Sequence, residues 1–336
     1  MRKLISLIIG SALIIALFAG CSKNVPQPSP TPSEALRQEI RIASLKGPTT
    51  MGLVKLLQDS EEGLLDYDLQ SGIYGAADEI SALLAGGKLD VAAIPANLAS
   101  VLYNKTGGEL QVAAINTMSV LNVVELGDSV HSIADLKGKT VYSTGKGTTP
   151  EYAFNAILSG NGLDPAKDLT IEFKSEATEI AALLSGESAV EGTVAVLPQP
   201  YATTVLMANP NARIALSFED EWQKAGLGGN LVTGVLVVSR DFAENHSELL
   251  SSLLDDCAAS SAWVTENPEE AAELIAKAGI VPKSAVALKA LPNCGITFKS
   301  GADMKTDLSA YLGVLFEQNP QSVGGSLPND DFYYGA

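Results

Sequence analysis

The sequence predicts an α/β protein of two similar lobes with a ligand cleft between them, a two-strand hinge and a helical C-terminal extension. Three observations predict it. First, Glu79-Ile80-Ser81-Ala82-Leu83-Leu84-Ala85-Gly86 returns one hundred residues later as Glu179-Ile180-Ala181-Ala182-Leu183-Leu184-Ser185-Gly186. Upstream, Lys46, Gly47 and Thr49 find the same residues at Lys146, Gly147 and Thr149. Second, each copy alternates strands with helices, the pattern of parallel βαβ units. Third, two long β-prone runs, 111–126 and 231–239, stand where a chain would leave one lobe for the other and return, and a helical third follows.

At the start, Arg2-Lys3 precedes an apolar run from Leu4 to Ala19, then Gly20-Cys21. Basic residues, a short apolar run and small residues before a lone Cys make a secretory signal over 1–20, and its end resembles a bacterial lipobox. Cys21 is then the lipidation site. The run is too short for a transmembrane anchor, which needs about 20 residues. Residues 22–33 are polar and Pro-rich, a composition that stays extended, so 21–38 reads as a lipidated tether.

The formal net charge is -17, and removal of Arg2 and Lys3 from the 22 basic residues leaves 20 against 39 acidic ones. With no basic run to compensate, nucleic acid is excluded as a partner. Cys257 and Cys294 form one disulfide or remain buried thiols; their spacing decides neither. Neither His131 nor His246 falls in a predicted cleft turn, so no metal site and no cofactor is expected. No Ser/His/acid or Cys/His set is present, so the protein is not expected to be an enzyme.

Taken in order, Glu39 to Leu45 reads as a buried strand broken at Gly47-Pro48, with Thr49 or Thr50 capping a helix to about Gln58. Tyr67 to Ile73 is a strand, Ala76 to Leu84 a helix closed by Gly86-Gly87, and Val91 to Ile94 a short buried strand before a helix that starts at Pro95. The run to Leu126 is too long for one strand of a small sheet, so it crosses between lobes at Asn116-Thr117-Met118. The second copy follows. Helices are expected over 242–264, 268–278, 283–291 and 302–318, and Phe332, Tyr333 and Tyr334 dock on the body. The boundaries that result are 39–118 with 235–336 for lobe I and 119–234 for lobe II.

Ala134-Asp135-Leu136-Lys137-Gly138-Lys139, a strand, and Gly145-Lys146-Gly147-Thr148-Thr149 resemble the extracytoplasmic solute-binding proteins of ABC importers, in their nitrate/sulfonate/taurine/thiamine-pyrimidine branch with the type II periplasmic-binding-protein fold. That resemblance implies a lipid-anchored monomer on the outer face of the cell membrane, closing on a small-molecule solute and passing it to an ABC permease. It also places the ligand among the turns of the repeat. The candidates are Thr49, Thr50, Met51, Pro95, Ala96, Asn97, Asn116 and Thr117 from lobe I, and Gly147, Thr148, Thr149, Gln199 and Tyr201 from lobe II. Each threonine either caps a helix or meets ligand; Tyr201 either stacks on an aromatic solute or packs beneath the rim. Lys46, Lys146 and Trp222 are secondary candidates, Trp222 first of all a packing residue.

Arginine is absent from every predicted cleft turn; the five are Arg2, Arg37, Arg41, Arg213 and Arg240. Without that bidentate clamp, a polar heterocycle or other small nitrogen- or sulfur-containing nutrient is favoured over an amino acid or a sulfonate. The rival reading is a solute-sensing lipoprotein that signals through a membrane receptor.

Overall fold

The structure, a computed structural model, describes residues 37–187 and 189–336. The expected signal segment, Cys21 and nearly all of the expected tether lie outside the described residues.

The first lobe opens with β1 (Glu39–Leu45), the short helix α1 (Pro48–Met51), α2 (Val54–Glu61), β2 (Asp68–Tyr74), α3 (Ala77–Ala85), β3 (Val91–Pro95), α4 (Ala96–Thr106) and β4 (Leu110–Met118). The second holds β5 (Leu121–Leu126), β6 (Thr140–Ser143), α5 (Thr149–Gly160), β7 (Thr170–Phe173), α6 (Ala177–Ser185), β8 (Val194–Pro198), α7 (Tyr201–Ala208), β9 (Ala212–Ser217) and α8 (Phe218–Lys224). The chain then returns through β10 (Val232–Ser239) and ends with α9 (Arg240–Asn245), α10 (Ser247–Glu266), α11 (Pro268–Lys277), α12 (Ser284–Ala290), β11 (Ile296–Lys299) and α13 (Gly301–Gln318).

Two sheets result, ordered β11-β4-β10-β3-β1-β2 and β7-β6-β8-β5-β9. In each, the strands of the repeat are parallel and the strand just after the crossing is antiparallel: β10 pairs with β3, and β5 with β8. The sheets are therefore built alike, each with a strand-order reversal beside its first repeat strand, where open α/β sheets hold ligands. Ile40, Ile42, Val91, Ile94, Val141 and Val194 are nearly inaccessible to solvent, as parallel strands covered on both faces require.

The outward crossing is the turn at Ser119 and Val120, inside the expected 111–126 run but after Asn116-Thr117-Met118, which still belong to β4. The return comes earlier than the expected 231–239, because β10 already pairs within the first sheet; residues 225–231 carry the crossing. Ser119 N–H donates to Leu231 C=O at 3.1 Å, so the two crossings lie side by side. Other boundaries also differ. The helix expected over 242–264 breaks at His246 into α9 and α10, and β11 was not foreseen, its four residues carrying too weak a pattern. Phe332 and Tyr333 are buried as expected, and Tyr334 N–H donates to Val112 C=O. Cys257 and Cys294 are free and buried in separate core clusters, which decides the open alternative for thiols.

The C-terminal extension touches both lobes. Tyr311 of α13 packs on Trp222 of α8 with ring centroids 5.7 Å apart, and Asp307 accepts from Asn230 and Lys299. Trp222 is fully buried and donates to Gly228 C=O, so it is a packing residue and not part of the cleft.

Candidate functional site

Between the sheets, at the carboxyl ends of their parallel strands, lies a cavity of about 350 Å³. Its size falls within the usual range for small-molecule sites. The turns entering six helices form its wall, three from each lobe: 47–49, 75–78 and Pro95 opposite 148–150, 176–178 and Pro198 with Tyr201. The N-cap positions Gly47, Ala76, Pro95 and Thr148 make no side-chain cap, so the leading N–H groups there are not taken up by their own N-cap residue. Such N–H groups and the partial positive charge of a helix start favour electron-rich ligand atoms. Gly47 makes its turn possible with φ of 143°, in the region that side chains avoid, and Gly147 does so with φ of 76°.

Of the predicted residues, Thr49, Pro95, Thr117, Thr148, Thr149 and Tyr201 line this cavity, as do the secondary candidates Lys46 and Lys146. Gly147 shares the 145–149 turn without itself lining the cavity, and the others stand behind the wall. Thr50 is fully buried within α1 and donates to Ser44 and Leu45, so neither it nor Thr49 is the helix cap; Gly47 is. Met51 faces the cluster of α11 and α12, and Ala96 faces the main core. Asn116 donates to Thr49 C=O at 2.9 Å, and Gln199 accepts from Thr203 N–H and Oγ1, closing the first turn of α7. Asn97, fully buried, donates to Ser322 C=O at 2.9 Å and Gly147 C=O at 3.3 Å, and accepts from Thr149 Oγ1 at 3.3 Å. The three amides expected to hold ligand instead hold the wall in place.

The unforeseen lining is the turns Gly75–Asp78 and Lys174–Thr178, together with Val120, Leu121, Thr144, Gly145 and Thr233. The two turns were legible in principle: they lead into the Glu-Ile helices that define the repeat. Charge in the wall comes from Lys46, Lys146 and Lys174 against Asp78 and Glu176, and no arginine is among the lining residues. Lys146 Nζ sits 5.9 Å from the Phe173 ring centre, and Lys174 Nζ 5.3 Å from that of Tyr142. Tyr201 spans the cleft, its hydroxyl donating to Lys46 C=O at 3.4 Å. Burial, and then the charge of Glu176, push its phenol well above the ordinary range, so it stays a neutral donor.

Two like-built lobes, twinned crossings and a cavity walled by helix starts define a two-lobed cleft protein of the type II periplasmic-binding fold. The chain belongs to the family described as NMT1/THI5 like, whose model matches residues 65–271. Among solved structures it resembles an ABC transporter protein from Parabacteroides distasonis, at 22% identity and TM-score 0.69 over 88% of this chain and 98% of that one. It also resembles the alkanesulfonate-binding protein of Xanthomonas axonopodis pv. citri bound to MOPS, at 18% identity and TM-score 0.68 over 88% and 96%. The periplasmic nitrate-binding protein of Synechocystis is more distant, at 13% identity and TM-score 0.57 over 76% and 69%. At these identities the likeness is one of fold. No curated protein sequence matches the chain.

Proposed function

We propose that the protein binds a small solute in the cavity between its lobes and delivers it to an ABC-type permease. The observation that carries this reading is the cavity itself, closed by both lobes at the strand ends where the repeat places six helix starts. A solute touching both walls stabilises the closed arrangement in proportion to its preference for it. Lipidation at Cys21 would hold a monomer at the outer face of the membrane and keep the solute close to the permease.

The reading is of a binder, not an enzyme. His131 and His246 stand away from the cavity wall, and both described cysteines are core thiols. For the solute, we infer a small nitrogen- or sulfur-containing compound whose acceptor atoms meet the three lysines and the helix starts. With Asn97, Asn116 and Gln199 behind the wall, the case for a polar heterocycle held by amides weakens, and no arginine is among the lining residues.

The test is thermal unfolding of the chain from Ser22 onward against nitrate, taurine, methanesulfonate, cytosine, thiamine, riboflavin, glycine and glucose. A true ligand at about a hundred times its Kd adds about 2.7 kcal/mol, a rise of a few degrees in Tm. No shift with any of the panel would overturn the reading.

A further inference from the structure

Thr233 lines the cavity, yet its hydroxyl oxygen is buried and has no hydrogen-bond partner in the protein. A buried unpartnered hydroxyl costs free energy and needs a reason. The backbone supplies the setting. Along β10, Val232 opposes Met118 and Gly234 opposes Thr117, so Thr233 is an extra residue with no partner on β4, a bulge. On the other side, β10 pairs with β3 only as far as Gly234 and Pro95, so Thr233 stands just past the end of β3 at the cavity edge. Bulges beside binding sites commonly re-aim a side chain.

The second lobe provides an internal comparison. There Pro198, the counterpart of Pro95, pairs with Leu121, which makes Val120 the counterpart of Thr233. Val120 also lines the cavity. The fold accepts valine at this position, so it does not require the hydroxyl. Five of the other lining threonines have partners: Thr49 donates to Leu45 C=O, Thr117 to Asn116, Thr148 to Gly145 C=O, Thr149 to Asn97 and Thr178 to Glu176, while Thr144 is only half-buried.

We propose that Thr233 is a specificity-determining residue whose hydroxyl donates to an acceptor atom of the solute, an oxyanion or carbonyl oxygen or a ring nitrogen. This rests on the solute-binding reading above. The valine and serine variants separate the two. The probe is whichever of nitrate, taurine, methanesulfonate, cytosine, thiamine, riboflavin, glycine or glucose raises the wild-type Tm most, and its affinity is then measured by calorimetry. Thr233→Val is expected to weaken binding of that probe about tenfold, the worth of one hydrogen bond. Thr233→Ser is expected to stay within threefold of wild type. The ligand-free Tm of Thr233→Val is expected to equal or exceed that of wild type, because an unsatisfied hydroxyl is replaced by an isosteric methyl. Unchanged probe affinity in Thr233→Val overturns the assignment and leaves solute binding intact. A lowered ligand-free Tm in that variant overturns it as well, since the hydroxyl then has a protein partner. If no probe moves the wild type, solute binding itself fails and the role of Thr233 with it.

Discussion

Gly75 of the first lobe has no side chain where the Glu176 carboxylate of the second lobe comes to rest: a β-carbon built on Gly75 would stand 2.6 Å from the Glu176 carboxyl carbon. The glutamate is held by its neighbours at the start of α6: its carboxylate accepts from Thr178 Oγ1, and its backbone N–H donates to the Glu179 carboxylate. With position 75 bare the two turns fit as they stand, and a side chain there would have to displace the Glu176 carboxylate. Lobe approach, and not the conformation of either lobe, is what the missing methyl permits.

Gly75→Ala is accordingly expected to leave each lobe folded while propping the cleft open. Its φ lies outside the left-handed region, so alanine fits the local backbone without strain. The radius of gyration of the unliganded variant in solution should rise relative to wild type, and affinity for a bound solute should fall at least tenfold, a penalty of about 1.4 kcal/mol on closure. Wild-type scattering and wild-type affinity together would show that Glu176 simply moves.

Asn97 acts in the opposite sense, tying α4 to the Gly147 and Thr149 turn and to the segment after α13 at Ser322. Asn97→Ala leaves the buried Ser322 carbonyl and the Thr149 hydroxyl short of a partner, which should cost about 2 kcal/mol. Chemical denaturation should report that loss, and solute should bind more weakly because part of it is a contact between lobes. A variant with unchanged denaturation midpoint would mean water replaces the amide.

The repeat made much of this arrangement readable. Lys46, Gly47 and Thr49 with their partners one hundred residues on marked two turns, and both line the cavity. Spacing could not show which way a side chain faces within a turn. Thr49 and Thr50 are neighbours, yet one lines the cavity and the other points back to Ser44. Asn97, Asn116 and Gln199 have the chemistry of ligand holders, but each sits one layer behind, where wall backbone groups needed partners. Thr233 was hidden for a different reason: a bulge is a mismatch between two strands, and one strand's sequence does not reveal it.

The cysteines give a compact check on the core. Burial raises both thiols far above their ordinary range; for Cys257 the charge of Asp256 adds to it. Thiolate is the reactive form, so neither should react with Ellman's reagent in the folded chain from Ser22 onward, and both should react in guanidinium. One or two fast-reacting thiols without denaturant would contradict the packing of α10 or of the turn after α12.

Glu125 offers a prediction in pH. It is inaccessible to solvent, and burial pushes its carboxyl up, but the Ser129 hydroxyl and N–H, the Val130 N–H and the Arg213 guanidinium outweigh burial and hold it below the usual carboxylate range. A depressed folded value means the unfolded chain takes up the proton first as pH falls. The stabilisation is therefore complete above the ordinary glutamate value of 4.5 and is lost below it, as pH drops through the folded value. Glu125→Gln removes the charge and leaves Arg213 with only the exposed Asp128 as an anionic partner, at an expected cost of about 2 kcal/mol near neutral pH. The difference in unfolding free energy between wild type and variant should stay flat from pH 8 to about pH 5 and shrink below the ordinary value of 4.5, as the unfolded wild-type chain takes up the proton. A difference that grows on acidification would mean that the folded carboxyl is raised above its ordinary value, burial outweighing the Arg213 pair and the hydrogen bonds.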